Sequence, residues 1–208
     1  MMSNPLGRSP ATSATLVTTR AARAGHATAI RGAAVLFIAA LTAAASQISV
    51  PLPFTPVPFT LQPMIVLLGG AALGSRLGLA SQVLYLAAGL AGLPVFAAAP
   101  ELPQGFARLM GPTGGYLLSY PLAAFVAGLL AERAFDRRFL TSAVAMTAGL
   151  IVIFAGGVLW LALFMPGPSP VAAAARAGLL PFLLADLLKV VIAAAVLPRM
   201  WRLLGGSR

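Results

Sequence analysis

Long apolar stretches that are almost free of charge most constrain what this chain can fold into. Only 9% of its residues are charged and 60% are hydrophobic, whereas about a quarter of a typical soluble domain is charged. A helix that spans the hydrocarbon core of a bilayer needs about 20 apolar residues. Six stretches approach that length: 32–49, 61–74, 76–92, 114–133, 140–165 and 178–203. The sequence therefore predicts an all-α integral membrane protein with six transmembrane helices.

The arginines indicate how these helices are oriented. If the N-terminus lies in the cytosol, the cytosolic segments contain eleven arginines and the outer segments contain only Arg108 and Arg176. Because cytosolic loops of membrane proteins are enriched in Lys and Arg, we expect an N-in/C-in protein of the cell membrane. The same rule accounts for the net charge of +10, so we expect the lipid bilayer rather than nucleic acid as the partner of the basic residues.

The remaining composition limits the domain organisation and the chemistry. Residues 1–31 are rich in Ser, Thr, Ala and Arg and contain no acid, which predicts a mobile cytosolic tail before a single membrane domain at 32–208. Cysteine is absent and the single histidine, His26, has no cluster of ligands near it, so we expect neither a metal nor a cofactor. The phosphate-binding motif G-x-x-x-x-G-K-[ST] is also absent, and we expect that the chain does not hydrolyse ATP itself.

Two outer loops are unlike ordinary linkers. The loop "VPLPFTPVPFTLQP" contains five prolines and no charge, and proline fixes φ and removes backbone donors, so we expect it to be stiff and extended. The loop "GLPVFAAAPELPQGFARLMGPTGGY" is long and rich in Gly and Pro. Long ordered loops usually serve as lids or binding elements, although turns resting on the lipid headgroups are the simpler alternative.

Asp186 and Lys189 are the main candidates for function. They stand three residues apart in an apolar stretch, and Lys189 is the only lysine of the chain. Residues at i and i+3 share one face of a helix, and an ionisable residue within the membrane is costly enough to indicate a functional site. The alternative is a salt bridge that satisfies itself and binds no ligand.

Gln82 and Tyr85 form a second polar pair with the same spacing, in the third predicted helix. At 1.5 Å per residue, Tyr85 and Asp186 lie within a few Å of each other in depth, so the third and sixth helices are predicted to face one cavity. Lys189 suits an anion and Asp186 accepts hydrogen bonds from N–H groups. This set predicts a small ligand with an anionic end, N–H donors and an apolar body.

Small residues at four-residue spacing predict close helix packing. Gly70, Gly74 and Gly78 follow this spacing, and the stretch "AALTAAA" offers two registers of alanines. Such faces let helix backbones approach closely, either within the chain or against another membrane subunit. The alanine pairs are Ala39 with Ala43 and Ala40 with Ala44.

Several stretches in order resemble the BioY family, the biotin-binding S subunits of energy-coupling-factor (ECF) vitamin transporters. The resemblance lies in "VPFTLQ", "YLAAGLAGLPVF", "GPTGGY" and "LADLLKVVIAA", and it runs from about residue 35 to 197. It implies six helices and high-affinity capture of biotin from outside. It also implies uptake with a transmembrane coupling subunit and cytosolic ATPases as partners.

The resemblance also assigns roles to residues. Asp186 and Gln82 would hold the ureido ring of biotin, and Lys189 would hold its carboxylate. Tyr85, Gly92 and Pro94 would lie in the stretch that forms the pocket. Independently of the resemblance, the rings of Tyr85 and Phe96 are expected to provide apolar walls for the ligand. The docking face for the coupling subunit would be one of the two alanine registers, formed by Ala39, Ala40, Ala43 and Ala44. Position 82 can be Asn in the family, so Gln82 departs from the pattern by one methylene.

Other functions remain open at this point. An intramembrane enzyme would need a nucleophile with a base, and none of the predicted helices contains a histidine, so we expect no enzyme. An S subunit for another small vitamin fits the same chemistry. A structural membrane subunit, in which Asp186 and Lys189 only fix helix register, is the other alternative, and ligand binding by the purified protein separates it from a transport protein.

Overall fold

The structure, a computed structural model, describes residues 15–16, 26–98 and 103–203. The helices are α1 (Ala27–Gln47), α2 (Gln62–Leu73), α3 (Ser75–Leu90), α4 (Phe106–Met110), α5 (Gly114–Ala131), α6 (Phe139–Leu161), α7 (Pro170–Gly178) and α8 (Leu180–Leu203). A short 3-10 turn, Ala162–Phe164, extends α6, and two strands, β1 (Ser49–Val50) and β2 (Phe59–Thr60), lie between α1 and α2. The predicted all-α class is therefore correct for this part of the chain, apart from one two-stranded hairpin.

Four of these helices are long and apolar enough to span a membrane: α1, α5, α6 with its 3-10 extension, and α8. The chain is thus a membrane protein. Helices α2 and α3 lie where the second and third spans were predicted, but they have only 12 and 16 residues, or about 18 and 24 Å at 1.5 Å per residue. Because a bilayer core is about 30 Å thick, the number of six spans stays a prediction.

Helix α5 lies at the centre of the bundle and α1 lies at its edge. In an apolar stretch of 18 residues in α5, 61% is buried, whereas only 17% is buried in the corresponding stretch of α1. The reason is the run of alanines in α5, since Ala123, Ala124 and Ala127 have no exposed surface and small side chains let neighbouring helices approach closely. Helices α3 and α6 both pack against α5, which places the functional candidates of the third helix next to it.

The glycines spaced four apart pack within the chain. A Cβ on Gly70 would lie 2.3 Å from the Ala124 carbonyl oxygen, and a Cβ on Gly78 would lie 2.7 Å from the Gly70 Cα. Gly74 forms the single-residue turn between α2 and α3 with φ +89°, a conformation that side chains other than glycine rarely adopt. Of the two uses predicted for these glycines, intramolecular packing is confirmed.

The loops that were predicted to lie on the outer side contain small elements of secondary structure. The proline-rich loop turns back on itself, because Ser49 pairs with Thr60 and Val50 pairs with Phe59 in an antiparallel hairpin. The prediction of an extended loop was therefore wrong, and the reason is that proline restricts φ without fixing the direction of the whole segment. The other two outer connections contain the short helices α4 and α7.

Polar contacts tie the opposite end of the bundle together. Trp201 Nε1 of α8 donates to Asp136 Oδ2 at 2.5 Å, and the Arg137 guanidinium lies 3.4 Å above the Trp201 ring. Burial raises the pKa of the Asp136 carboxyl from its usual 3.8, although the hydrogen bond from Trp201 and the charge of Arg137 oppose that shift. Across the same end, the Glu132 carboxylate accepts hydrogen bonds from the Ser75 amide and hydroxyl.

Part of the predicted mobile tail packs against this end. Thr15 and Leu16 are both buried, and the Thr15 hydroxyl donates to the Leu73 carbonyl at 3.3 Å. These two residues thus pack against the bundle, and the mobility of the tail stays a prediction. Helix α1 begins at Ala27, five residues before the predicted span, and the remainder of the tail up to residue 25 lies outside the described residues.

Candidate ligand-binding site

Asp186 and Lys189 form a buried ion pair on one face of α8. Lys189 Nζ lies 2.6 Å from Asp186 Oδ1, and the two residues are 5% and 6% exposed. The ammonium group also donates to the Thr60 carbonyl at 2.6 Å and lies 3.8 Å above the Phe59 ring. The helix places the two side chains together because i and i+3 are neighbours on its surface. The lysine is thus surrounded by acceptors and an aromatic face that together offset its burial.

The ion pair faces a small cavity between the β1–β2 hairpin and the bundle. Its wall combines polar groups of the hairpin and α8 with aromatic rings of α5 and α8. The main lining residues are Thr60, Tyr116, Tyr120, Phe182, Asp186 and Lys189. The space in this cavity that the centres of water molecules can reach is about 50 Å³, which is small for a bicyclic organic ligand. A bicyclic organic ligand therefore needs the wall to widen.

Tyr85 lies behind this wall and does not line the cavity directly. Its ring stacks on Tyr120 with centroids 6.4 Å apart. Its hydroxyl accepts a hydrogen bond from Gln62 Nε2 at 2.6 Å and donates to the Val95 carbonyl at 3.1 Å. The predicted proximity of the third and sixth helices is therefore indirect, since Tyr120 of α5 stands between Tyr85 and the ion pair.

Gln82 points in another direction. Its amide donates to the Thr42 hydroxyl of α1 at 3.3 Å and to the Ser81 hydroxyl at 3.2 Å, and the residue has no exposed surface. Its Oε1 atom is buried without a hydrogen-bond partner among the described residues. The structure thus does not bring Gln82 to the side chains of Asp186 and Lys189, and its role toward a ligand stays a prediction.

The stretch 92–96 leaves α3 and closes over its outer end. Gly92 adopts φ +91°, which favours glycine, and both Gly92 and Pro94 are exposed. Phe96 is 1% exposed, packs edge-on against Tyr85 at 5.7 Å between centroids, and covers Gly89, where a Cβ would lie 2.1 Å from the ring. Of these three predicted pocket residues, only Phe96 reaches the aromatic cluster behind the cavity.

Several residues of the site were not singled out from the sequence. The hairpin places the Thr60 carbonyl on Lys189, α2 supplies Gln62, and α5 supplies Tyr116 and Tyr120. Tyr116 and Tyr120 stand four residues apart in "GGYLLSYP", and this spacing places both on one face of a helix. That spacing is the sequence feature from which their common role could have been predicted. The contact between Lys189 and the main-chain carbonyl of Thr60 cannot be predicted from the sequence, because every residue carries such a carbonyl.

The alanines of α1 separate into two faces. Ala39 is buried and Ala43 is half-buried against the core, whereas Ala40 and Ala44 are exposed. The exposed register continues through Leu36 and Phe37, which are 62% and 64% exposed. The structure therefore separates two registers that the sequence alone left equivalent.

Comparison with known proteins identifies the family. The sequence matches the BioY family over residues 15–206. The chain belongs to the BioY family. Among its BioY relatives, the probable biotin transporter of Pyrococcus horikoshii is 40% identical over 165 residues, covering 79% of this chain and 91% of the relative. The biotin transporter of Thermotoga maritima is 40% identical over 164 residues with the same coverage, and that of Rhodobacter capsulatus is 39% identical over 171 residues, covering 77% and 87%.

A solved structure shows the same fold. The S-component for biotin from an ECF-type ABC transporter superimposes with a TM-score of 0.74, covering 86% of this chain and 94% of that chain at 23% sequence identity. This BioY chain therefore has the fold of an S-component. The resemblance that the sequence motifs indicated is confirmed at the level of family and fold.

Proposed function

We propose that this chain captures biotin with high affinity at the outer face of the membrane and delivers it inward as the S subunit of an ECF transporter. The observation that carries the proposal is membership in the BioY family, supported by 40% identity to curated biotin transporters. The chain is a transport protein and not an enzyme. Biotin is its substrate rather than a cofactor.

The ligand site in this proposal is centred on the Asp186–Lys189 pair. Biotin combines a carboxylate, two ureido N–H groups and an apolar bicycle, and the cavity combines charged groups with aromatic walls. Asp186 accepts from a ureido N–H, Lys189 donates to the ligand, and Tyr85 and Phe96 support the aromatic wall from behind. Gly92 and Pro94 shape the turn that brings Phe96 over α3, and Gln82 offers its unpartnered Oε1 once the wall widens.

The proposed topology has six spans with both termini in the cytosol of a cell membrane. Two loop arginines, Arg108 and Arg176, then lie on the outer side, in α4 and α7. The cluster of Asp136, Arg137 and Trp201 lies on the cytosolic side. The short helices α2 and α3 cross the bilayer as a hairpin shielded by α1 and α5, against which both pack.

Uptake in this proposal needs a coupling module of a transmembrane subunit and cytosolic ATPases. The docking face is the exposed register of α1, with Ala40 and Ala44, because small side chains allow a partner helix to approach closely. Ala39 and Ala43 face the interior of this chain instead and support the helix from inside.

Calorimetric titration of the full-length protein in detergent tests the function. We expect saturable binding of biotin by the wild type and co-purification of biotin from cells grown in its presence. If the protein binds another vitamin but not biotin, the proposed substrate is wrong and that vitamin takes its place. Failure to bind any small vitamin would favour a structural subunit whose ion pair only fixes the helix.

A further inference from the structure

A group of arginines from two distant segments meets at the end of the bundle that contains Trp201. One segment is the connection between α5 and α6, and the other is the last two turns of α8. The hydrogen bond from Trp201 Nε1 to Asp136 Oδ2, at 2.5 Å, joins the two segments across 65 positions of the chain. We call the arginines of these segments the arginine cluster: Arg133, Arg137, Arg138, Arg199 and Arg202.

Arg137 is the member of the cluster whose guanidinium is held in place. Its guanidinium lies 3.4 Å above the Trp201 ring, and its Nε atom donates to Asp136 Oδ1 at 3.2 Å. Its side chain is still 30% exposed. A planar guanidinium that is fixed at the surface in this way is preorganised for the oxygens of a phosphate group.

The positive charge of the cluster exceeds the negative charge around it. The other four arginines are exposed, and neither ion pair within the described part of the chain involves them. Only two of the four acids of the chain lie in the connection after α5. Of these, Asp136 binds Trp201 and Arg137, and Glu132 accepts hydrogen bonds from Ser75. Five guanidinium groups thus face two carboxylates that already have partners.

The surface beside the cluster is apolar. Helix α6 begins directly after Arg138, with no acid in its first turn and no capping side chain, so its first amides add to the positive potential. Large apolar side chains follow the arginines at once in both segments. They are exposed by 41–81% and belong to Phe139, Leu140, Met200 and Leu203.

This combination of charge and apolar surface fits a lipid. Helices α5, α6 and α8 are long and apolar enough to span a membrane, so a cluster at their ends lies at the level of the headgroups. Anionic phospholipids attract basic residues beside membrane helices, by about 1 kcal/mol per arginine. A free phosphate ion offers the same charge but gains nothing from the apolar side chains.

We propose that the arginine cluster binds the headgroup of an anionic phospholipid, whose acyl chains lie against the exposed apolar side chains of α6 and α8. The bound lipid connects the loop after α5 to the end of α8, in addition to the contact between Asp136 and Trp201. The proposal concerns the end of the bundle away from the cavity and does not depend on the ligand that the cavity binds.

Fluorescence quenching tests the proposal, because Trp201 lies inside the cluster. The other tryptophan, Trp160, lies 21 residues from the start of α6 and donates to the Gly111 carbonyl, so Trp160→Phe leaves Trp201 as the only reporter. The full-length variant in detergent is titrated with phosphatidylglycerol that carries bromine on its acyl chains, since bromine quenches a nearby indole. We expect half-maximal quenching at a lower concentration than with brominated phosphatidylcholine.

Substitutions of single arginines in this background locate the site. Arg202→Gln is expected to raise the half-maximal concentration of phosphatidylglycerol about fivefold, which corresponds to about 1 kcal/mol, with little change for phosphatidylcholine. Arg138→Gln, in the other segment, should act in the same direction. Arg202→Lys keeps the charge and should restore most of the affinity. Arg176→Gln in α7 removes an equally exposed charge at the opposite end of α8 and should have no effect.

Four results would overturn the proposal. The first is equal quenching by the two lipids, and the second is an Arg176→Gln effect as large as that of Arg202→Gln, which would indicate general attraction to charge. The third is displacement of the lipid by an equal concentration of inorganic phosphate. The fourth is an Arg202→Gln variant that keeps its preference for phosphatidylglycerol but loses uptake with the coupling module, which would assign the cluster to an acidic protein surface.

Discussion

Lys189 Nζ and Asp186 Oδ1 lie 2.6 Å apart on one face of α8, and the same ammonium group reaches the Thr60 carbonyl of the outer hairpin. One side chain thus connects a membrane helix to the hairpin that lines the cavity.

We expect Asp186 and Lys189 to be coupled in their contributions to the free energy of unfolding and both to be needed for ligand binding. Asp186→Asn and Lys189→Met should each lower the free energy of unfolding by about 3–5 kcal/mol, because each leaves the other charge buried and unpaired. The double variant should lose less than the sum of the two. Unfolding in detergent, followed by tryptophan fluorescence, measures these differences.

Measurements of biotin affinity distinguish an ion pair that binds the ligand from one that only stabilises the fold. All three variants should lose at least about tenfold in affinity for biotin, since each removes a charged hydrogen bond to the ligand. A folded double variant that binds biotin as tightly as wild type would show that the two charges only hold each other.

The exposed face of α1 is expected to serve uptake rather than binding. Ala40→Trp places a large ring on the outside of the bundle, so biotin uptake by cells that contain the coupling module should fall several-fold while binding to the purified protein persists. Ala39→Trp is the matched control, because it points inward and should destabilise the protein by about 1–3 kcal/mol through overpacking. Unchanged uptake by Ala40→Trp would place the docking face elsewhere.

The contact between α2 and α5 leaves no room for a side chain at Gly70. Gly70→Ala should destabilise the fold by about 1–3 kcal/mol, because its Cβ would lie 2.3 Å from the Ala124 carbonyl oxygen and the helices would have to separate. Gly32→Ala in α1, where nothing lies within 4 Å of the new Cβ, should stabilise by up to about 1 kcal/mol. Thermal unfolding of the pair measures both, and equal melting temperatures would contradict the packing argument.

The stability contributed by the end of the bundle that contains Asp136 should depend on pH in a way that Trp201 modifies. Burial raises the pKa of Asp136 above 3.8, so the folded state binds this proton more tightly than the unfolded state. The associated stability is present below pH 3.8 and is lost as pH rises through the raised pKa. Trp201→Phe removes a hydrogen bond that opposes the shift and should make that loss larger.

Melting temperatures measured across the acidic range test this sign. Asp136→Asn is the control, because it should remove this contribution to the pH dependence while keeping an oxygen acceptor for Trp201 Nε1. A Trp201→Phe variant whose melting temperature falls less with rising pH than that of wild type would contradict the argument.

The helices were predicted well from the sequence because their signal is local. Long apolar stretches and the arginines between them predicted α1, α5, α6 and α8. The motif "LADLLKVV" placed Asp186 and Lys189 on one face of the last helix. The fold of the outer loop was not predictable in the same way. Its hairpin depends on pairing between Ser49 and Thr60. The segment between these two residues contains four prolines and shows no periodic pattern.

The candidate site was predicted in part. The ion pair followed from spacing alone, whereas Tyr85 was expected at the cavity and lies one aromatic layer behind it, because depth along a helix says nothing about rotation about its axis. Arg108 was counted only as one of two outer arginines. Nothing in its sequence neighbours indicates that it is buried, since burial follows from how α4 docks against α5.

The sequence by itself determined that the chain is an apolar helical membrane protein, that it resembles BioY, and that Asp186 and Lys189 share a helix face. These properties depend on composition and on the 3.6-residue period, which act within a single segment. Only the tertiary structure decided that Lys189 donates to the Thr60 carbonyl, that Gln82 turns toward α1 and that Ala40 rather than Ala39 faces outward. It also decided that Arg108 is buried without an ion pair to another described residue. Each of these depends on the rotation and docking of one element against another, which is set by packing between residues far apart in the chain.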